Sequence, residues 1–364
     1  MADHRAATGG TELLRAAASL GLAPAALAPA VSDPAYRVLV GELPGNRNSA
    51  VLLRRQWTAD GIAEAVLLAA AGIGPDTPAV LATAAAWGCD RVRDRPGGRG
   101  VVSVPVPGDD APVVDRFLHL AALAATRVET AVALARGTGE DRVKADGSPS
   151  VAADEAAHLA AAGVFATLGL PVLSEERTDR RVPEEEPWVV LDPLDGTGNF
   201  RAGLPPWAFS AGLVHAGRPV AGVVVDLSSG RRWWADGQDA WRDGLRVRPR
   251  PGSTVVLPSA PAGGAVSVPA TAHRIRVTGC TAVELCLVAD GAAAAWHDVD
   301  RSGTHVHDIA GALAVLFAAG GVALSPEGEP LVLRPDTEQL IRLVAAPSVQ
   351  DARDLLGALG VRPG

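Results

Sequence analysis

The stretch Trp188-Val-Val-Leu-Asp192-Pro-Leu-Asp195-Gly-Thr197-Gly-Asn199-Phe200 constrains this chain more than any other. An apolar run ends in a carboxylate, and the proline after it enforces an extended turn. A second carboxylate follows three residues on, then Gly-Thr at the expected start of a helix. The pattern is strand, turn, helix. Two carboxylates at one strand end repel each other unless a cation lies between them. Hard oxygen donors favour Mg²⁺ or Mn²⁺ over zinc. The helix start offers the N–H groups of Gly196 and Thr197, which suit a phosphate. A divalent cation beside an anion cradle is equipment for phosphoryl chemistry. The pentapeptide Asp192–Gly196 taken alone reads as readily as a structural turn or helix cap as it does as a metal site.

Other segments shift that balance. Ser174-Glu175-Glu176 follows the strand-like pair Val172-Leu173 and offers a third carboxylate at a strand end. An acidic pair taken alone is a solvated face. Upstream, Lys144-Ala-Asp146-Gly147-Ser148-Pro149 is a polar turn, and Asp154 opens a helix over 153–168. Alone, Asp154 is an acid placed where the helix dipole favours it. Downstream, His305-Val-His307-Asp308-Ile-Ala-Gly311 leads into an apolar helix. Asp308 alone is an N-cap. His305 and His307 lack the further His or Cys of a tetrahedral zinc set, so they read either as support for the ligands or as substrate-pocket residues.

Composition narrows the classes. The chain has 364 residues, enough for one large domain or two smaller ones. Its net charge of -8 argues against non-specific nucleic-acid binding and anionic membranes. No run near the roughly 20 uninterrupted apolar residues of a membrane span is present. Cys89, Cys280 and Cys286 are too scattered for a disulfide framework or a cysteine zinc site. The alanine-rich 13–30 stretch ends in Ala-Pro-Ala, but Glu12 and Arg15 interrupt a secretory reading, so the expected location is cytoplasmic. Lys144 is the sole lysine, and asparagine stands only at 46, 48 and 199. Such depletion marks surviving positions as ones that need the side chain.

The expected organisation is an N-terminal α/β extension over 1–110, of unassigned role, and a layered α/β or α+β domain over 111–364. In the extension the pattern predicts helices over 12–27 and 58–71, the latter with Thr58 as N-cap and Asp60 in its first turn. It predicts strand-like segments over 36–40, 51–54, 79–82 and 101–106, and a solvated loop over 91–100. Trp57 and Trp87 read as core or interface residues. In the second part helices are expected over 114–136, 153–168, from Gly196, over 281–289 and over 308–319. Strands are expected at 172–173 and 188–191, with 208–215 and 220–227 paired through Ala216-Gly217.

Together these motifs resemble the inositol monophosphatase family, within the metal-dependent, lithium-sensitive phosphatases, over about residues 113–356. The central signature matches almost residue for residue, and the Lys144–Asp154, Glu175-Glu176 and Asp308–Gly311 blocks match in order. The resemblance implies a layered αβαβα sandwich, a homodimer, and two or three Mg²⁺ per site, with Mn²⁺ as a substitute. It implies that Glu175, Asp192 and the Leu194 carbonyl hold one ion, and Asp192, Asp195 and Asp308 a second. Asp154 and Thr197 would activate water, Gly196 and Thr197 would bind phosphate, and Lys144 and Arg301 would lie on the substrate side. The implied activity is Mg²⁺-dependent hydrolysis of a small phosphate monoester: a sugar, cyclitol, histidinol or nucleoside phosphate. A 3′-nucleotidase acting on adenosine bisphosphate and a non-catalytic metal or phospho-ligand binder are the alternatives. The chain departs from the family pattern at Ser174, where Gly is usual, at Ser150-Val151, where Val-Thr is usual, and at His307, where Trp is usual. Arg301 stands near the place of a substrate-contacting acid; facing the leaving group it would suit a second anionic group on the substrate, and the equal alternative is an arginine turned to solvent.

Overall fold

A computed structural model describes residues 4–6, 36–43, 46–59, 62–70, 74–94, 100–104, 107–135, 142–143, 149–150, 152–176, 182, 187–259 and 266–361. The expected helix over 12–27, the signal-like stretch and Lys144 lie outside them. The chain divides into two compact units, Met1–Ala111 with Arg242–Arg246, and Pro112–Trp241 with Val247–Gly364.

The first unit holds a six-stranded sheet. Its strands Tyr36–Leu43, Asn46–Trp57 and Ala63–Ala70 run antiparallel, and Ala63–Ala70 pairs in parallel with Arg91–Asp94. Three expectations are corrected here. Within 58–71, the described segment Ala63–Ala70 is a strand rather than a helix, and Asp60 lies outside the described residues. The Thr58 hydroxyl accepts from the Ile62 N–H at 3.1 Å and closes the turn. The apolar run beyond it is paired on both edges, and a strand so enclosed reads as continuous hydrophobics. Residues 79–82 are helical, within Pro78–Ala86. Proline in the first turn and alanines after it favour that outcome. Within 91–100, Arg91–Asp94 is a strand, and Arg91 and Arg93 both pair with the buried Glu64 on the adjacent strand. Trp87 is buried in this unit's core with Leu53, Leu67 and Val92.

The second unit is a stack of five layers. The outer layer is a helix pair, α1 (Val113–Ala135) and α2 (Ala152–Phe165). α1 is the one helix among the described residues long and apolar enough to cross a membrane. Its apolar stripe, Phe117, Ala121, Ala124, Val128 and Val132, is spent on α2 and the sheet below. That sheet contains β1 (Val172–Ser174) and β2 (Trp188–Asp195), which are parallel to each other. After α3 (Thr197–Ala202) it continues antiparallel through β3 (Ala208–His215), β4 (Arg218–Asp226) and β5 (Arg232–Ala235). The β3–β4 hairpin turns at Ala216-Gly217, as the sequence predicts.

Beyond the sheet, β6 (Thr254–Leu257), β7 (Arg274–Val277), α4 (Thr281–Ala289), β8 (Ala295–His297), α5 (Val306–Ala318), β9 (Val322–Leu324), β10 (Val344–Ala346) and α6 (Val349–Ala358) follow along the chain. The second sheet is five-stranded, in the order β7-β6-β8-β10-β9. α4 and α5 fill the space between the sheets, sharing one core with Trp188, Val190 and Trp296. α6 covers the outer face of the second sheet through Ala352, Leu355 and Leu356. The expected αβαβα sandwich is therefore the observed order of layers. β2 feeds both cores: Trp188 and Val190 face α4 and α5, while Val189 and Leu191 face α1 and α2.

Candidate active site

β2 delivers its two carboxylates at its C-terminal end. The β2–β3 pairing is regular from Trp188 to Asp192 and slips before Asp195. An irregularity there re-aims side chains that a straight strand would place on alternating faces. Asp192 turns back on its own loop, accepting from the Leu194 N–H at 3.0 Å. Asp195 points at the N-terminus of α4, where the Ala282 N–H donates to its Oδ2 at 2.7 Å and the Cys280 thiol lies 3.1 Å away. Asp308 comes from the opposite direction, in the first turn of α5. Its Oδ2 accepts from the His305 N–H at 3.2 Å. The N-cap is therefore His305, not Asp308, which lies three residues inside the helix start.

These three carboxylates converge, with one oxygen from each within 4.8 Å of the others. Their electrostatics are strained without a cation. Burial, followed by the Asp308 charge, pushes Asp195 up to about 8 from an ordinary 3.8. Burial also raises Asp308, while His307 opposes it. An all-oxygen set of mutually repelling carboxylates fits a hard divalent cation.

Glu175 follows β1, and its N–H donates to the Leu191 carbonyl at 3.2 Å, so β1 and β2 end side by side. Glu175 lies outside the three-carboxylate cluster, although its charge acts on Asp308. Asp154, only 1% exposed, sits in the first turn of α2. The Thr197 hydroxyl lies 3.0 Å from Asp154 Oδ1 and 3.1 Å from the Leu194 carbonyl. Gly196 has φ 86° as the chain turns from β2 into α3. Phe200 and Trp207 pack edge to face and anchor that short helix.

The departures from the family pattern acquire contacts. The Ser174 hydroxyl lies 2.9 Å from His158 Nδ1 and ties β1 to α2. His307 is buried, with Nε2 3.5 Å from Asp308 Oδ1, and stacks on His305 at 5.1 Å. The His305 Nδ1 lies 2.8 Å from the Thr337 carbonyl. Arg301 follows a turn in which its N–H donates to the Asp298 carbonyl at 2.9 Å. Burial raises Asp298, against the Thr304 hydroxyl, the Leu343 N–H and then the Arg301 charge. The sequence reading missed Asp298, Cys280, Ala282 and Glu284. A charged residue inside the apolar Ala282–Ala289 run was the available signal for Glu284.

The inositol monophosphatase family profile matches residues 112–356. A Thermococcus kodakarensis protein named fructose-1,6-bisphosphatase/inositol-1-monophosphatase is 30% identical over 200 residues, 54% of this chain and 77% of that one. Rat inositol monophosphatase 1 is 31% identical over 211 residues, 53% of this chain and 72% of the rat protein. The Anabaena inositol monophosphatase structure overlays with a TM-score of 0.56 at 22% identity, across 69% of this chain and 98% of that one. A Pyrococcus horikoshii structure described as similar to inositol-1 monophosphatase gives 0.58 at 21% identity, across 67% and 98%. The extent of the match and the order of layers agree: this chain belongs to the inositol monophosphatase family and is a phosphomonoesterase.

Proposed function

We propose that the chain hydrolyses a phosphorylated sugar or cyclitol in a reaction that depends on Mg²⁺. The observation that carries this reading is the meeting of Asp192, Asp195 and Asp308 beside the Thr197–Asp154 pair. In this reading Asp192, Asp195 and Asp308 hold one cation, and Glu175, Asp192 and the Leu194 carbonyl another. Glu175 also supports a third, looser ion. When bound, the cations neutralise phosphate charge and acidify water. The remaining roles belong to the chain. Thr197 donates its hydroxyl proton to Asp154 Oδ1, which leaves a lone pair to accept a proton from the attacking water. Asp154, buried and held in place, stores the proton. The N–H groups of Gly196 and Thr197 orient the phosphate for in-line attack. The family resemblance assigns Lys144 and Arg301 to substrate binding, and Arg301 would pair with an anionic group other than the scissile phosphate. The family resemblance supports a homodimer.

The names of the relatives support a sugar or cyclitol phosphate. The test is phosphate release from a panel: inositol phosphate, sugar mono- and bisphosphates, histidinol phosphate, adenosine 3′,5′-bisphosphate and p-nitrophenyl phosphate. Release with Mg²⁺ that stops with EDTA is expected. No release from any ester with Mg²⁺ or Mn²⁺ overturns the reading.

A further inference from the structure

We infer that Glu284 is a positioning residue for the metal cluster, setting the geometry of Asp195 through the loop that precedes α4. The inference rests on the metal reading of Asp192, Asp195 and Asp308. Glu284 is fully buried in the first turn of α4, between the two sheets. An ionised carboxylate in that place is costly unless its lone pairs are filled. Four donors fill them. Oε1 receives the Thr278 N–H at 2.8 Å, the Thr278 hydroxyl at 3.0 Å and the Gly279 N–H at 3.0 Å. Oε2 receives the Trp296 indole N–H at 2.9 Å. One side chain therefore ties α4 to β8 and folds the Thr278-Gly279-Cys280 loop around itself.

That loop has two outlets into the site. At its far end the Cys280 thiol, and just beyond it the Ala282 N–H, reach Asp195 Oδ2. On its near side, the Thr278 carbonyl accepts from Asn199 Nδ2 at 2.7 Å, and the same amide nitrogen donates to the Pro206 carbonyl at 2.8 Å. Asn199 belongs to α3, the helix that begins with Thr197. The loop has little slack. Gly279 has φ 78°, and a Cβ there would lie 3.0 Å from Asn199 Oδ1. A shift of the loop is therefore felt both at Asp195 and at the helix that starts with Thr197. Asp195 accepts a hydrogen bond that fixes its rotamer before any ion arrives, and the geometry of that bond is set from Glu284. Groups that orient a ligand in this way commonly affect metal affinity ten- to a hundredfold.

The test titrates the metal-free full chain with Mn²⁺ and counts free ion by electron paramagnetic resonance. Circular dichroism checks that each variant is folded. Glu284→Gln keeps an acceptor for the loop but turns an amide or loses a bond at Trp296, so Mn²⁺ affinity is expected to fall ten- to a hundredfold. Glu284→Asp keeps the charge and withdraws the carboxylate by one methylene, and is expected to be as weak. If Glu284→Asp matches wild type while Glu284→Gln is weak, charge alone acts and positioning is overturned. If both bind Mn²⁺ like wild type while Asp192→Asn does not, the metal reading stands and this inference falls. Wild-type protein that takes up no Mn²⁺ overturns the metal reading and this inference with it. Should Glu284→Gln fail to fold, Thr278→Val, which removes a single donor, decides: affinity within twofold of wild type overturns the inference.

Discussion

Asp195 makes metal binding answer to pH. Its carboxyl is raised to about 8, first by burial and then by Asp308. At pH 7 such a group is protonated in about nine molecules of ten. A cation bound by the ionised form must therefore expel about 0.9 proton at pH 7 and about 0.1 at pH 9. Apparent Mg²⁺ affinity should weaken about tenfold, or about 1.4 kcal/mol, for each pH unit below 8 and level off above it. Asp308, also raised by burial, acts in the same direction. The sign for folding follows. The folded pKa lies above the unfolded one, so the contribution of Asp195 to stability is complete below about pH 4 and is lost as pH rises through about 8. The metal-free protein should lose melting temperature from pH 5 to 8, and Mg²⁺ should restore more of it at the upper end. Calorimetric titration with Mg²⁺ in two buffers of different ionisation enthalpy, at pH 6 to 9, reads proton release directly. Affinity that is flat between pH 6 and 8, or no proton release at pH 7, would refute the reasoning. A slope that survives in Asp195→Asn would assign it to another group.

Three further outcomes are expected. Asp192→Asn removes a carboxylate assigned to both ions, so turnover at saturating Mg²⁺ should fall about a thousandfold while the far-ultraviolet circular dichroism is kept; wild-type turnover contradicts the assignment. Gly311→Val puts a side chain where a Cβ alone would lie 2.7 Å from Ser210 Oγ and 2.8 Å from the Ala211 carbonyl. Urea unfolding should show a loss of about 3 kcal/mol, and a loss below about 0.5 kcal/mol would deny the close approach of α5 to β3. A chain starting at Asp109 should fold and release phosphate from p-nitrophenyl phosphate, since the second unit has its own cores; an insoluble product would show that the extension completes them.

What the sequence made legible follows from the range of each interaction. β2 could be read because its apolar run and the Asp-Pro-Leu-Asp-Gly turn are local. α1 and α2 declared themselves by helical periodicity. The first unit misled where tertiary pairing overrode local pattern. Residues 63–70 look helical until strands on both edges are known, and Arg91 and Arg93 look solvated until Glu64 is seen between them. In the site, the residue types were visible and their support was not. Asp195 is held by a backbone N–H that is 87 positions away. Glu284 serves donors on a loop before its own helix and on Trp296, which no local periodicity reveals.

The convergence of the carboxylates is a consequence of how closely α5 can approach the first sheet. Asp192 and Asp195 are fixed by β2, but Asp308 arrives from a helix that packs across β3 and β4. A helix on a sheet normally stands off by the thickness of its side chains. Here Gly212 on β3 and Gly311 on α5 remove that thickness. A Cβ on Gly212 would lie 2.9 Å from the backbone of Ala310 and Gly311. Gly311 lies three residues beyond Asp308, so the contact that brings the helix backbone onto β3 also brings the Asp308 carboxylate within reach of β2. Ser210 connects the two facts, since it pairs with Asp192 across the ladder and its hydroxyl marks the floor under Gly311. The Ala310-Gly311 pair, one residue past Asp308, is thus a distance-setting device. A bulkier residue there would lift α5, separate Asp308 from Asp195, and lower the raised pKa of Asp195 along with the affinity for the cation. Stability and metal affinity in the Gly311 variant should therefore fall together, whereas in Asp192→Asn the affinity falls alone.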